Sequence, residues 1–387
     1  MNKTHLSWGT THALGLRAAR LPRGLHPVAW WLWALALATA ASRTSNPLLL
    51  VLIFAVLGFV VTARRTEAPW AKAFHYYLIM ALIVIAIRVV FRSVFASGIT
   101  PEDHILFRLP QLQTPDWYAG IQIGGPVSLE ATLSAALDGL RLACLLCCIG
   151  AANSLANPKR ALKALPGALY ELGVAVTVAL SVAPQLVESV QRVARARRLR
   201  AGRPRGLRAV RAIALPVLHD ALDRSLRLAA AMDARGYGRT GTATRASRRL
   251  TGTLMLAGMA GLCVGVYGLL DPSVPRPVGL GGLAIGVLLS VAGLATGGRR
   301  VARSRYRPDR WQWPELVVAG SGLITAVVLA AGTGYDPAEL NPGLYPLSWP
   351  TLPPLPTAAI LVAATAAFAA PPPPQRQPPT LPAGAHP

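Results

Sequence analysis

The chain has 387 residues, of which 53% are hydrophobic and only 14% charged, and its formal net charge is +23. That balance excludes an ordinary soluble globular enzyme and describes a polytopic membrane protein. The positive charge is almost wholly arginine, because the lysines are Lys3, Lys72, Lys159 and Lys163; with heavy Ala, Gly and Pro usage this suggests a GC-rich bacterial genome.

In chain order, Arg17, Arg20 and Arg23 precede the first apolar run without a clean small-residue cleavage site. The N-terminus therefore reads as a first span and not as a removed signal. Apolar runs long enough to cross a bilayer, about 20 residues each, lie near 28–42, 46–63, 76–97 and 129–151, giving an N-terminal membrane region over 1–155. Further runs near 251–270, 279–297 and 314–332, with a short one at 356–370, give a C-terminal membrane region over 251–370. The Pro-rich end, 371–387, reads as an extended disordered tail.

Basic residues favour the cytoplasmic side and orient these spans. Arg64, Arg65 and Lys72 place the second connection inside, and six arginines from Arg299 to Arg310 do the same for the connection they occupy. Glu102, Asp103 and Asp116 against Arg108 place 98–128 outside, and Asp336 with Glu339 place 333–355 outside. The pattern alternates without conflict for eight spans with both termini inside.

Between the two membrane regions, residues 156–250 carry 19 basic and 5 acidic side chains, a net +14. Residues 167–187 are apolar enough to be a span, but Glu171, Pro184 and Glu188 break the run, and a crossing there would put the arginines outside. The stretch reads instead as a helix along the inner membrane face. Two helices are expected next. One runs from about Pro184 to Ala201 and stops at Gly202-Arg203-Pro204-Arg205-Gly206. The other restarts after Gly206, is reset at Pro216, continues to Arg235 and is capped by Gly236. Leu215, Leu218, Leu222, Ser225, Ala229 and Met232 make one apolar stripe on it, with Asp220–Arg224 and Asp223–Arg227 spaced for ion pairs. Both helices end in an arginine beside small residues: Leu199-Arg200-Ala201-Gly202 and Ala234-Arg235-Gly236. Repetition of this kind suggests one type of partner surface met twice.

These paired ends resemble the coupling region of the transmembrane coupling subunit (T component) of energy-coupling-factor (ECF) ABC transporters, the family that includes the membrane subunits of cobalt importers. In that family two cytoplasmic helices carry Ala-Arg-Gly-type motifs that dock into grooves of two ABC ATPases. Ala234-Arg235-Gly236 matches as it stands, whereas Leu199-Arg200-Ala201 has Leu for the usual Ala and Ala for the usual Gly; Arg198 is an alternative first coupling residue. Ala179 to Leu186 also resembles the family's apolar approach to the first motif, and the convincing match covers about 156–240. The resemblance implies an all-α polytopic protein of about seven to eight transmembrane helices with a cytoplasmic coupling insert, in the bacterial plasma membrane. It also implies two ATPase subunits and a substrate-binding membrane subunit as partners, uptake of a vitamin, metal ion or similar micronutrient, and neither a cofactor nor a catalytic residue. Without the resemblance, Arg200 and Arg235 read as cations favouring helix C-termini and anionic lipid heads.

Other constellations carry less. No phosphate-binding Gly-x-x-x-x-Gly-Lys-Ser/Thr loop occurs, so ATP hydrolysis would belong to a partner. Gly279-Leu280-Gly281-Gly282-Leu283-Ala284 opens an apolar run and reads as close helix packing helped by Gly282 and Gly286. Cys144, Cys147 and Cys148 share a helix face and read as small packing residues, because no nearby histidine completes a metal site. Arg88 lies in the third apolar run, with Asp138 and Arg141 in the fourth. Charges inside a membrane are costly and usually paired or functional, so Arg88 and Asp138 are expected to form a buried pair, structural or part of a substrate path. They would be the site if the chain were instead a self-sufficient secondary carrier or a membrane-embedded enzyme. From 188 to 246 the only aromatic is Tyr237, which leaves a nucleic acid almost nothing to stack on.

Overall fold

The computed structural model describes residues 24–66, 73–95, 104–112, 123–200, 207–237, 244–271, 273–298, 311–332, 334–343 and 347–372. It divides into two compact units, one of Met1–Ala161 with Asp309–Pro387 and one of Leu162–Pro308. The first unit contains α1 (Pro27–Ser42), α2 (Pro47–Arg64), α3 (Ala73–Val94), β1 (Ile105–Leu112), β2 (Ile123–Ser128) and α4 (Leu129–Leu155). The short α5 (Pro158–Lys163) follows at the boundary. α10 (Trp313–Ala331), α11 (Pro337–Leu340), α12 (Pro354–Ala363) and α13 (Ala366–Ala369) complete this unit. The second unit contains a short 3-10 turn (Gly167–Leu169), α6 (Tyr170–Arg200), α7 (Leu207–Ala234), α8 (Arg245–Leu270) and α9 (Arg276–Gly298).

Among the described residues, seven helices are long and apolar enough to cross a membrane. Six of them are expected spans: α2, α3, α4, α8, α9 and α10. The expected spans at 28–42 and 356–370 are shorter apolar helices, and the seventh long one is Gly167–Arg197, set aside in the sequence on its charged surroundings. β1 and β2 form a small antiparallel pair with Arg108 opposite Pro126, an addition to the all-α expectation. The unit is otherwise helical because its apolar runs satisfy every backbone group internally, as lipid requires.

The core of the first unit is Trp33, Leu37, Leu49, Leu50, Ile53, Leu57 and Val60 with the buried Cys144, Cys147 and Cys148. The cysteines are packing residues, and no metal-holding cluster occurs among the described residues. Pro27 and Pro47 start α1 and α2, where a missing N–H costs nothing. Asn46 caps α2 by accepting from Leu48 N and donates Nδ2 to Glu339 O and Thr351 O, at 2.9 and 2.7 Å. Trp33 donates Nε1 to Ala363 O at 3.1 Å, and a Cβ on Gly322 would come within 2.8 Å of Trp33 Cα. The Trp33 contacts lock α10 and α12 onto α1 although about 290 and 330 positions separate the partners in sequence.

In the second unit α8 and α9 approach through glycines. A Cβ on Gly261 would meet Gly286 Cα at 2.9 Å, and one on Gly282 would meet Gly265 Cα at 3.2 Å. The Gly279–Ala284 stretch is therefore a helix-packing face, as its composition suggests.

Candidate functional site

α6 is one helix of 31 residues, from Tyr170 to Arg200, and Pro184 lies inside it. The sequence expectation that Pro184 breaks the run and begins a new helix is corrected. Proline removes one N–H donor and presses on the carbonyl four residues before it, but the ladder on either side holds. The same correction applies to Pro216, which sits within an unbroken α7 from Leu207 to Ala234.

α6 and α7 run antiparallel, joined by a polar clamp. Ser189 Oγ donates to Asp220 Oδ2 at 2.7 Å. Arg224 grips the same carboxylate with Nε at 3.1 Å and Nη2 at 2.8 Å, and its Nη1 reaches Gln185 Oε1 at 3.5 Å. The Ser189 hydroxyl first, and then the Arg224 guanidinium, hold the Asp220 carboxyl below its ordinary range. The spacing of Asp220 and Arg224 was legible in the sequence; the partners Ser189 and Gln185 were not. Their signal is a pair of polar residues four apart, Gln185 and Ser189, on a face that also carries Val182, Leu186 and Arg192. Asp223 and Arg227 are exposed and form no bridge with each other.

The face of α7 turned to α6 carries Ile213, Val217, Asp220, Ala221 and Arg224. The apolar stripe expected from spacing lies elsewhere: Leu215, Leu218 and Leu222 are more than half exposed, as is Leu226.

The end of α7 is built as expected. Gly236 adopts the left-handed conformation, φ 75°. Its N–H bonds Asp233 O at 2.9 Å, and the N–H of Tyr237 bonds Met232 O at 3.0 Å. This double closure is the Schellman arrangement, which satisfies the carbonyls of the last turn. It fixes Ala234 as the last helical residue and Arg235 in the turn, on the wall of a cavity with Gly173 and Val174 from the start of α6. At the opposite end of α6, Leu199 is 89% exposed. Arg200 is the last described residue of that helix, while the side chains of Arg198 and Arg200, and all of Ala201 and the Gly202–Gly206 breaker, lie outside the described residues. Gly173 is 27 positions before Arg200 on one helix, so at roughly 1.5 Å per residue the two arginine-bearing ends stand about 40 Å apart.

Arg88 Nη1 and Asp138 Oδ2 are 3.9 Å apart, but their side chains are 47% and 57% exposed. The pair forms, and the expectation that it is buried is corrected. α3 buries only Phe74 and Ala81, so its contact with α4 leaves the charges on the outer surface of the helix pair. Arg141 is half-buried nearby in sequence.

The family model described as CbiQ, cobalt transport protein, matches residues 18–244, more than half of the chain. Comparison with curated proteins finds no match. The family match runs through α1 to α7 and ends just before α8 begins at Arg245. It thus reaches much further toward the N-terminus than the two arginine motifs.

Proposed function

The chain belongs to the cobalt transport protein family, and on that premise we propose that it is the transmembrane coupling subunit of an ECF-type importer. It is a component of membrane transport and a multi-pass protein of the plasma membrane. In this reading Ala234-Arg235-Gly236 docks one cytoplasmic ABC ATPase and Leu199-Arg200-Ala201 docks a second. A separate substrate-binding membrane subunit selects the micronutrient, a vitamin or metal ion, and receives the ATP-driven movement.

The observation that carries the reading is the placement of both arginine-bearing ends on one clamped helix pair, about 40 Å apart by helix rise. That separation suits two partners, each meeting one end. Arginine stays charged and offers a planar fork that can hold a carboxylate by two bonds. The fully turned Gly236 and small Ala234 let a groove close over the chain beside it. The exposed leucines of α7 form an apolar surface of the kind that marks protein contacts. Arg88 and Asp138, half exposed on the helix surface, lack the enclosure expected of a carrier's own substrate site.

Co-purification of the chain with tagged ATPases tests the proposal. Loss of one charge-assisted contact costs about 1.5–3 kcal/mol, so Arg235→Ala weakens ATPase binding roughly ten- to a hundredfold. Arg235→Glu adds repulsion and does worse. Replacing Arg200 and Arg235 together by Ala abolishes transport while membrane insertion is unchanged. A double variant that still captured both ATPases and transported normally would falsify the docking role.

A further inference from the structure

The second unit contains a cavity of about 320 Å³ between the start of α6 and the end of α7. Among the described residues, Leu165, Val178, Leu228 and Met232 are part of its wall and Lys163 and Arg235 are the cations that line it, with no Asp or Glu beside them. A mostly apolar pocket with two positive charges on its wall fits an amphiphile with an anionic head. Its level is fixed by the adjoining 3-10 turn. A Cβ on Gly167 would stand 2.8 Å from Gly298 O, and one on Gly297 would stand 3.1 Å from Ala168 Cβ. The cavity therefore adjoins the end of α9, a helix long and apolar enough to span, where the chain continues into the arginines from Arg299 to Arg310. Such a boundary is where lipid phosphates lie, and basic pockets there attract anionic headgroups.

We propose that this cavity holds one anionic phospholipid of the inner leaflet, its phosphate between Lys163 and Arg235 and the first part of an acyl chain against Leu165, Val178, Leu228 and Met232. Arginine supplies a two-bond fork and lysine a point charge to the phosphate. The apolar wall distinguishes a lipid from free phosphate, which would find no use for it. The inference stands without the ATPase reading. Arg235 is common to both, whereas Lys163 and Gly173 line only the cavity. Where both hold, lipid and ATPase draw on the same guanidinium, and occupancy of the cavity tunes docking.

The test is native mass spectrometry of the full chain with its co-expressed partners, delipidated and then titrated with phosphatidylglycerol, phosphatidylcholine or glycerol phosphate. The wild type is expected to keep one phosphatidylglycerol that phosphatidylcholine and glycerol phosphate do not displace. Lys163→Gln removes a charge, and Gly173→Leu fills the cavity without changing charge, since even a Cβ there meets Leu165 Cδ1 at 3.3 Å. Each should weaken retention by about tenfold or more, and Lys163→Arg should keep it. ATPase capture by these variants, read in the same spectra, separates this proposal from the coupling reading. Equal lipid retention in wild type, Lys163→Gln and Gly173→Leu would overturn the lipid site. Displacement by glycerol phosphate would reassign it to a free phosphate and overturn it too. If the two variants lost ATPase but kept lipid, the cavity would belong to the partner's dock and the proposal would be wrong.

Discussion

Gly236 offers the cleanest way to separate the shape of the α7 end from its charge. Its φ of 75° places it where an L side chain pays for the approach of Cβ to the following carbonyl. That cost is roughly 1–2 kcal/mol at a single residue, so Gly236→Ala shifts the ratio of closed to frayed turn by a factor of about 5–30. The bonds at stake are those from Gly236 N to Asp233 O and from Tyr237 N to Met232 O, which together set the direction in which Arg235 leaves the helix. A partner that recognises only the closed turn loses apparent affinity in proportion to the closed fraction. Titration of purified ATPases onto the chain in lipid nanodiscs should therefore show Gly236→Ala weakened by at most about 5- to 30-fold, the full factor applying where the frayed turn dominates, and Gly236→Val weakened more. Gly236→Asn, which tolerates the left-handed conformation, should stay near wild type. Arg235 is untouched in all three. Binding that was the same in Ala, Asn and wild type, or Asn as weak as Ala, would refute the argument that the closed turn presents the arginine.

Three further outcomes are expected. A cysteine placed at Gly206, between α6 and α7, with exposed Cys263 replaced, should resist a membrane-impermeant thiol reagent in intact cells and react in inverted vesicles; labelling from outside would reverse the topology. For Arg88 and Asp138, paired across two consecutive candidate spans, a double-mutant cycle read by thermal unfolding in detergent should give a coupling of about 0.5 kcal/mol or more, because lipid or detergent screens charges less than water does; equal, additive losses would show that the two do not pair. The Asp220 carboxyl is held below its ordinary range, so its contribution to the α6–α7 pair is present above the usual carboxylate range and is lost as pH falls through the depressed folded value. Hydrogen exchange along α6 and α7 should rise on acidification of the wild type, and Asp220→Asn should already exchange fast at neutral pH with a weaker acid response; an unchanged acid response in Asp220→Asn would assign the effect to another group.

What the sequence made legible was local, and what it hid was tertiary. The closed turn at Gly236 could be read because glycine after a helical run has one common use there. Gly282 and Gly286 of α9 could be read as packing because no soluble strand precedes their stretch, whereas the matching glycines of α8 were not read. Pro184 and Pro216 were misread for the converse reason: the local rule that proline ends a helix was outweighed by the long ladders on both sides. Arg88 and Asp138 were correctly matched as partners, since consecutive spans put them on neighbouring helices. Their exposure depends on how little of α3 is covered by the rest of the unit, which no pattern in α3 itself encodes. Ser189 meeting Asp220 likewise required the register of two helices, and the residues joining them, 201–206, carry no signal for it.

The clamp also explains how the leucine stripe of α7 can stay outward. Two helices in water normally hold register by burying their apolar stripes against each other. Here the register is set by hydrogen bonds from Ser189 and Arg224 to one carboxylate, with Gln185 as a third anchor. Sliding α7 by one turn would part Asp220 from Ser189 while leaving its bond to Arg224 intact, because that pair lies within α7. Ser189 and Gln185 are therefore the residues that convert a local ion pair into an alignment between helices. With alignment fixed by polar contacts, Leu215, Leu218, Leu222 and Leu226 need not face α6 and remain exposed. A helix pair that was only self-supporting would gain by turning those four side chains inward. Leaving them out makes sense where another protein or the membrane surface covers them, and the proposed docking of ATPases would supply the first.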